Sequence, residues 1–84
     1  LFGQQFVARI AVQIEDVESI EDGWQVKREG SRRATDVTSK QQAAINRAVR
    51  IAKNNKPSQV FIHDRNGRIR DERTYGDDPE EYQG

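Results

Sequence analysis

The run from Ser39 to Asn55 constrains the fold of this chain more than any other stretch. Apolar residues fall at Ala44, Ile45, Ala48, Val49, Ile51 and Ala52, a spacing that suits a helix and not the alternation of a half-buried strand. These six occupy one half of the helical wheel. Lys40, Arg47, Arg50 and Lys53 occupy the other half, with Gln42, Asn46 and Asn54. Thr38 and Ser39 are each followed three residues later by a glutamine, Gln41 and Gln42. That is the pattern of a capping box, so the helix is expected to start there. Pro57 disfavours helical geometry at Lys56 and has no backbone donor, so the helix is expected to stop at Asn54-Asn55. Such a helix offers an apolar side to a sheet and a cationic side to something else.

The sheet has to come from the flanking segments. Phe6, Ala8, Ile10, Val12 and Ile14 alternate and read as a strand, although Phe2, Phe6, Ile10 and Ile14 also fit helical spacing. Val17 to Ile20 and Trp24 to Arg28 read as two short strands around the turn Glu21-Asp22-Gly23. Trp24 and Val26 share one strand face and are expected to pack on the helix. Gly30 to Val37 reads as a polar loop. Beyond the helix, Val60 to His63 reads as a strand, and Asn66-Gly67 predicts a type I′ hairpin turn. A turn at those two residues pairs Asp64 with Ile69, Ile62 with Asp71 and Phe61 with Glu72. Val60, Ile62 and Ile69 then share the buried face, and Phe61, His63, Arg70 and Glu72 the opposite one. The expected fold is a small α+β domain, an antiparallel sheet of about four to five strands packed on one helix, in the order β-β-β-α-β-β. Residues 1–16 form an N-terminal extension, 17–76 the domain, and 77–84 an acidic flexible tail.

Eighty-four residues make one small domain, near the size where a single core only just suffices. One third of the residues are hydrophobic and one third charged, and a core this thin is often supported by self-association. With no cysteine, disulfides, thiolate metal sites and cysteine nucleophiles are excluded; this fits a reducing cytoplasm without demanding one, and a cytoplasmic location is the expectation. No apolar run approaches the roughly 20 residues of a membrane span, and there is no signal-peptide pattern. The start at Leu1 reads as a trimmed chain. The 14 basic and 14 acidic residues cancel overall but are sorted along the sequence. Residues 1–22 carry one Arg against five acids, residues 23–57 nine bases against two acids, and residues 58–84 four Arg against seven acids. The basic middle between acidic ends is the main functional clue in the composition.

The run Gly23-Trp24-x-Val26-Lys27-x-x-Gly30-x-x-Arg33-Ala34, the alanine-rich helix, His63-x-x-x-Gly67-x-Ile69 and Tyr75-Gly76-x-Asp78-Pro79 together resemble a family of small bacterial proteins, domain of unknown function 2188. The resemblance covers about residues 17–79. It implies a bacterial or phage origin and a compact α+β domain, and it implies no catalytic residue.

The residues themselves carry little catalytic chemistry. His63 is the sole histidine and has no nucleophile placed against it, so it is expected as a surface strand residue paired with Arg70 or Glu72. Asp64-x-Asn66-Gly67 departs from a calcium loop, because the glycine comes two positions too early and Tyr75 stands where a bidentate glutamate is needed. No phosphate-cradling glycine loop, zinc spacing or nucleophile elbow occurs. A non-enzymatic role without metal or cofactor is therefore expected. One reading is a module in which Lys27, Arg32, Arg33, Lys40, Arg47, Arg50 and Lys53 contact nucleic acid or another polyanion. The ordinary explanation is a solvated helix face, yet five bases and no acid between Lys40 and Lys56 are more one-sided than solubility requires. The other reading is a homodimer or protein-interaction surface made by the open sheet face, with Phe2, Phe6, Phe61 and His63. The tail, with Asp77, Asp78, Glu80 and Glu81, either solubilises the chain or competes with an external polyanion for the basic face.

Overall fold

The computed structural model describes residues 12–76. Strands β1 (Gln13–Ile20), β2 (Gly23–Arg28) and β3 (Asp36–Thr38) precede helix α1 (Gln41–Lys53), and β4 (Ser58–His63) and β5 (Ile69–Tyr75) follow it. They form one five-stranded sheet in the order β3-β2-β1-β4-β5, with α1 packed on one face. The α+β class and the element order agree with the sequence reading. Phe2, Phe6, most of the Phe2–Ile14 segment and the acidic tail lie outside the described residues. No described helix is long and apolar enough to cross a membrane.

The sheet is mixed where an antiparallel one was expected. β1 pairs with β4 in parallel, Asp16 beside Phe61 and Val17 beside Ile62, while the other neighbours are antiparallel. Parallel neighbours need a crossover, and here the chain supplies it through β2, β3 and α1. β1 is also one continuous strand through Glu15 and Asp16, where the apolar pattern breaks. Glu15 takes a core-side position because Gln13 Nε2 (2.8 Å) and Arg28 Nε (3.3 Å) donate to its Oε2. β3 falls within the segment read as a loop; its three residues pair with Trp24–Val26 through the backbone and carry no hydrophobic alternation.

The core is small and lies between α1 and the three central strands. Val17, Trp24, Val26, Ala44, Ile45, Ala48, Ala52, Val60 and Ile62 are all buried, with Val49, Ile51 and Tyr75 packed around them. Gly23 is required at the start of β2, since a Cβ there would run into the Thr38 carbonyl oxygen of β3. The helix start differs from the expected capping box. Lys40 is the N-cap and makes no side-chain cap bond, because Thr38 is held in β3 against Trp24 and its Oγ1 donates to the Lys40 carbonyl at 2.7 Å. At the other end the freed carbonyls are satisfied in turn. Asn55 Nδ2 donates to Ile51 O at 2.7 Å, and the buried Ser58 Oγ donates to Ala52 O at 2.6 Å.

The β4–β5 connection is a hairpin, but with a three-residue loop instead of the two-residue type I′ turn. Asp64 N–H bonds Arg68 O, Gly67 N–H bonds Asp64 O, and of the loop residues only Gly67 has positive φ (85°). This is a type I turn closed by a glycine bulge. It forms because Asp64 Oδ1 accepts the backbone N–H groups of both Asn66 and Arg68, which holds Asn66 at negative φ. Ile62 still pairs with Asp71 and Phe61 with Glu72, but a bulge between Ile62 and His63 sets His63 beside Ile69. Ile69 therefore leaves the buried face and is exposed, while Arg70 turns to the helix side, where it donates to Gln41 Oε1 at 2.6 Å.

Candidate functional site

Two surfaces hold the residues singled out by the sequence. The first is the outer side of α1 with the end of the sheet below its C-terminus. Lys40, Arg50 and Lys53 are exposed on the helix. Arg47, on the flank toward β3, is tied to Asp36 at 3.3 Å with both side chains partly exposed. Lys53 Nζ sits 5.9 Å from the centre of the Tyr75 ring. Arg32 and Arg33 are exposed in the β2–β3 connection. Glu29 N–H bonds Ile14 O, and Gln13 N–H bonds Pro57 O, so that connection and the turn after α1 meet at the same end of β1. Arg32, Arg33, Lys53 and Lys56 thus share one end of the domain, and Lys40 lies at the other end of the helix. Lys27 does not join them. It pairs with Asp16 in register and belongs to the face opposite α1.

The opposite end of the sheet is fastened by Arg65. Its guanidinium stacks 4.6 Å from the centre of the Trp24 ring and donates to Ser19 Oγ, Ile20 O and Gly23 O. The β4–β5 hairpin is thereby clamped to the β1–β2 turn.

The second surface is the open sheet face. His63 Nε2 lies 3.2 Å from Asp16 Oδ1, and Nδ1 lies 3.4 Å from Gly67 O. Its partners are thus Asp16 and a backbone carbonyl, not Arg70 or Glu72, because the bulge at Ile62/His63 moves β5 out of the expected register. Glu18 accepts from Gln25 Nε2 at 2.9 Å. One oxygen from each carboxylate and a ring nitrogen of His63 lie within 4.8 Å of one another. A shallow pocket of about 410 Å³ borders this cluster, lined by Glu18, Ser19, His63, Arg65, Asn66 and Gly67. Phe61 is half-buried beside Asp16 and Glu72. Of the exposed apolar residues among those described, Val12 precedes β1, and Val37 and Ile69 lie on β3 and β5, the two opposite edges of the sheet.

Asp16 and Glu18 are absent from the residues expected to matter. Their signal in the sequence is the Asp-x-Glu alternation, which puts two carboxylates on one strand face. The histidine joins them only through the parallel β1–β4 pairing, across more than forty residues.

A family model described as "Uncharacterized protein conserved in bacteria (DUF2188)" matches residues 16–75. No curated protein and no solved structure matches the chain.

Proposed function

The chain belongs to the bacterial family DUF2188, and for it we propose a non-enzymatic nucleic-acid-binding role centred on α1 and the end of the sheet beneath its C-terminus. The observation that carries this reading is the placement of exposed Arg32, Arg33, Lys53 and Lys56 at one end of the domain, where a helix with exposed Arg50 and no acidic residue ends. Guanidinium and ammonium groups displayed this way suit phosphate oxygens along a backbone, which gives binding that depends on salt more than on sequence. Arg47 contributes less, since Asp36 already offsets its charge. Lys27 takes no part, because it faces the other way. The competing idea of an open-face homodimer gains little from the described residues, since exposed Val37 and Ile69 lie on opposite edges of the sheet.

The test is a titration with duplex and single-stranded DNA and RNA at two salt concentrations. Binding is expected at low salt and should weaken steeply at high salt. Arg50→Ala and Lys53→Ala should each weaken all sequences alike and lower the salt slope by about 1. No measurable binding at low salt, or equal binding by the double variant, would remove the proposal.

A further inference from the structure

We propose that Asp16, Glu18 and His63 form a binding site for a divalent transition-metal ion of the Zn²⁺ type on the open sheet face. The inference is independent of nucleic-acid binding and concerns the other side of the sheet. His63 places Nδ1 toward the Gly67 carbonyl and Nε2 toward the Asp16 carboxylate. A carbonyl oxygen can only accept, so the tautomer that donates from Nδ1 to Gly67 leaves Nε2 as a bare acceptor. Nε2 then faces a second acceptor, Asp16 Oδ1, at 3.2 Å. A neutral ring can satisfy only one of these two acceptors with its single proton, whereas a cation at Nε2 with Nδ1–H kept on the Gly67 carbonyl satisfies both. A backbone carbonyl that fixes the tautomer of a histidine is the usual outer support of a metal-bound imidazole.

The third ligand is what favours the metal over the proton alone. Glu18 brings another carboxylate oxygen within 4.8 Å of the other two ligand atoms, and a side-chain rotation of about 1–1.5 Å brings it to the roughly 3.3 Å ligand–ligand separation of a tetrahedral site, whereas one proton satisfies only one pair. With bonds of about 2.0–2.1 Å to nitrogen and oxygen, a 3.2 Å separation subtends about 100° at the ion, which suits tetrahedral or octahedral coordination. One imidazole and two carboxylates form a mixed N/O set that suits Zn²⁺ or Mn²⁺ better than Mg²⁺ or Ca²⁺. The three side chains are partly buried, Gln25 orients Glu18, and both strands belong to a rigid sheet. Glu18 and His63 also line the adjacent pocket. Coordination positions left by three protein ligands are thus open toward it, suited to water or a small anionic ligand. Lys27, in register with Asp16, and Arg65 on the pocket rim supply the neighbouring positive charge.

Zn²⁺ titration by calorimetry, with Mg²⁺ and Ca²⁺ alongside, tests the site, and NMR adds a direct readout because His63 is the chain's only histidine. One Zn²⁺ per chain should bind and shift the His63 ring resonances. Asp16→Asn, Glu18→Gln and His63→Gln should each weaken Zn²⁺ by about tenfold or more while circular dichroism shows the fold retained. Unmoved His63 resonances in excess Zn²⁺ would overturn the proposal. So would equal affinity for Mg²⁺ and Zn²⁺, or undiminished affinity in a folded Asp16→Asn variant.

Discussion

Neighbouring residues of β1 lead opposite lives. Glu15 and Val17 point under α1, where both are wholly buried. Asp16 and Glu18 point to the open face, where they are only partly buried among His63, Gln25 and Lys27. One strand therefore serves two different sides. On the covered side the favourable term is removal of apolar surface from water, and the single carboxylate there is tolerated because Gln13 and Arg28 donate to it. On the open side little apolar surface is hidden, and side chains are positioned by hydrogen bonds. The contrast separates the residues that hold the fold from those free to bind something.

The largest effect expected from this contrast is a pair of truncations. Ile62, 1% exposed beside Val17, loses both transfer free energy and packing when cut to alanine, and the cost should be about 2–5 kcal/mol. Ile69, 53% exposed on the other face, should change stability by no more than about 0.5 kcal/mol. In a domain with so small a core, Ile62→Ala is expected to approach unfolding at room temperature, which urea titrations of the two variants will compare. Similar losses at both positions would mean that the open face is covered after all.

Gly23→Ala follows. The added Cβ meets the backbone of Thr38, which cannot rotate away as a flexible side chain does. A loss of about 1–3 kcal/mol is expected, from displacement of β3. Hydrogen exchange should locate the damage in Asp36–Thr38 and the start of α1 and leave β4–β5 as before.

The features legible in the sequence were those written locally. The helix followed from the spacing of Ala44, Ile45, Ala48 and Ala52, and the inward side of β2 from Trp24 and Val26. The features missed depend on partners distant in the chain. β3 exists because Gly23 lets Thr38 approach, and β1 continues through Glu15 only because Arg28 lies across from it. The cap moved from Thr38 or Ser39 to Lys40 because β3 claims Thr38 first. Of the candidate residues, Arg32, Arg33, Arg50 and Lys53 could be guessed from charge sorting. The Asp16–Glu18–His63 group could not, because parallel pairing of β1 with β4 leaves no local mark.

The two adjacent carboxylates of β1 give the third comparison. Glu15→Gln keeps the shape but removes the charge that attracts Arg28, and Oε1 has no hydrogen-bond partner among the described residues to reward an amide. About 1–3 kcal/mol of stability should be lost, in the range for hydrogen bonds to a charged group. Asp16→Asn, partly buried but hydrogen-bonded among the described residues only to His63, should cost less, about 0.5–1.5 kcal/mol. Denaturant midpoints of the two variants decide the matter. A costlier Asp16→Asn would show that the open-face cluster helps to hold the fold, contrary to the division drawn between the two sides.

The smallest effect belongs to the hairpin, which lies on neither side. The carboxyl of Asp64 is held below its ordinary value of 3.8, mainly by the Arg68 backbone N–H. Desolvation opposes this, while the Asn66 N–H and the charges of Arg68 and Arg70 add to it. A carboxylate whose folded value is depressed binds protons more weakly when folded than when unfolded. Its contribution is therefore complete above the unfolded value and is lost as pH falls through the folded one. Asp64→Asn keeps an acceptor for the turn but abolishes the titration. The stability gap between the natural protein and this variant should be constant near neutrality and should shrink as pH drops below about 4. Because the group sits in a surface turn and is only partly buried, the gap should be small and should narrow further with added salt. A gap that widens on acidification would show that the turn prefers the protonated acid, and the hydrogen bonds from Asn66 and Arg68 would not be what fixes the loop.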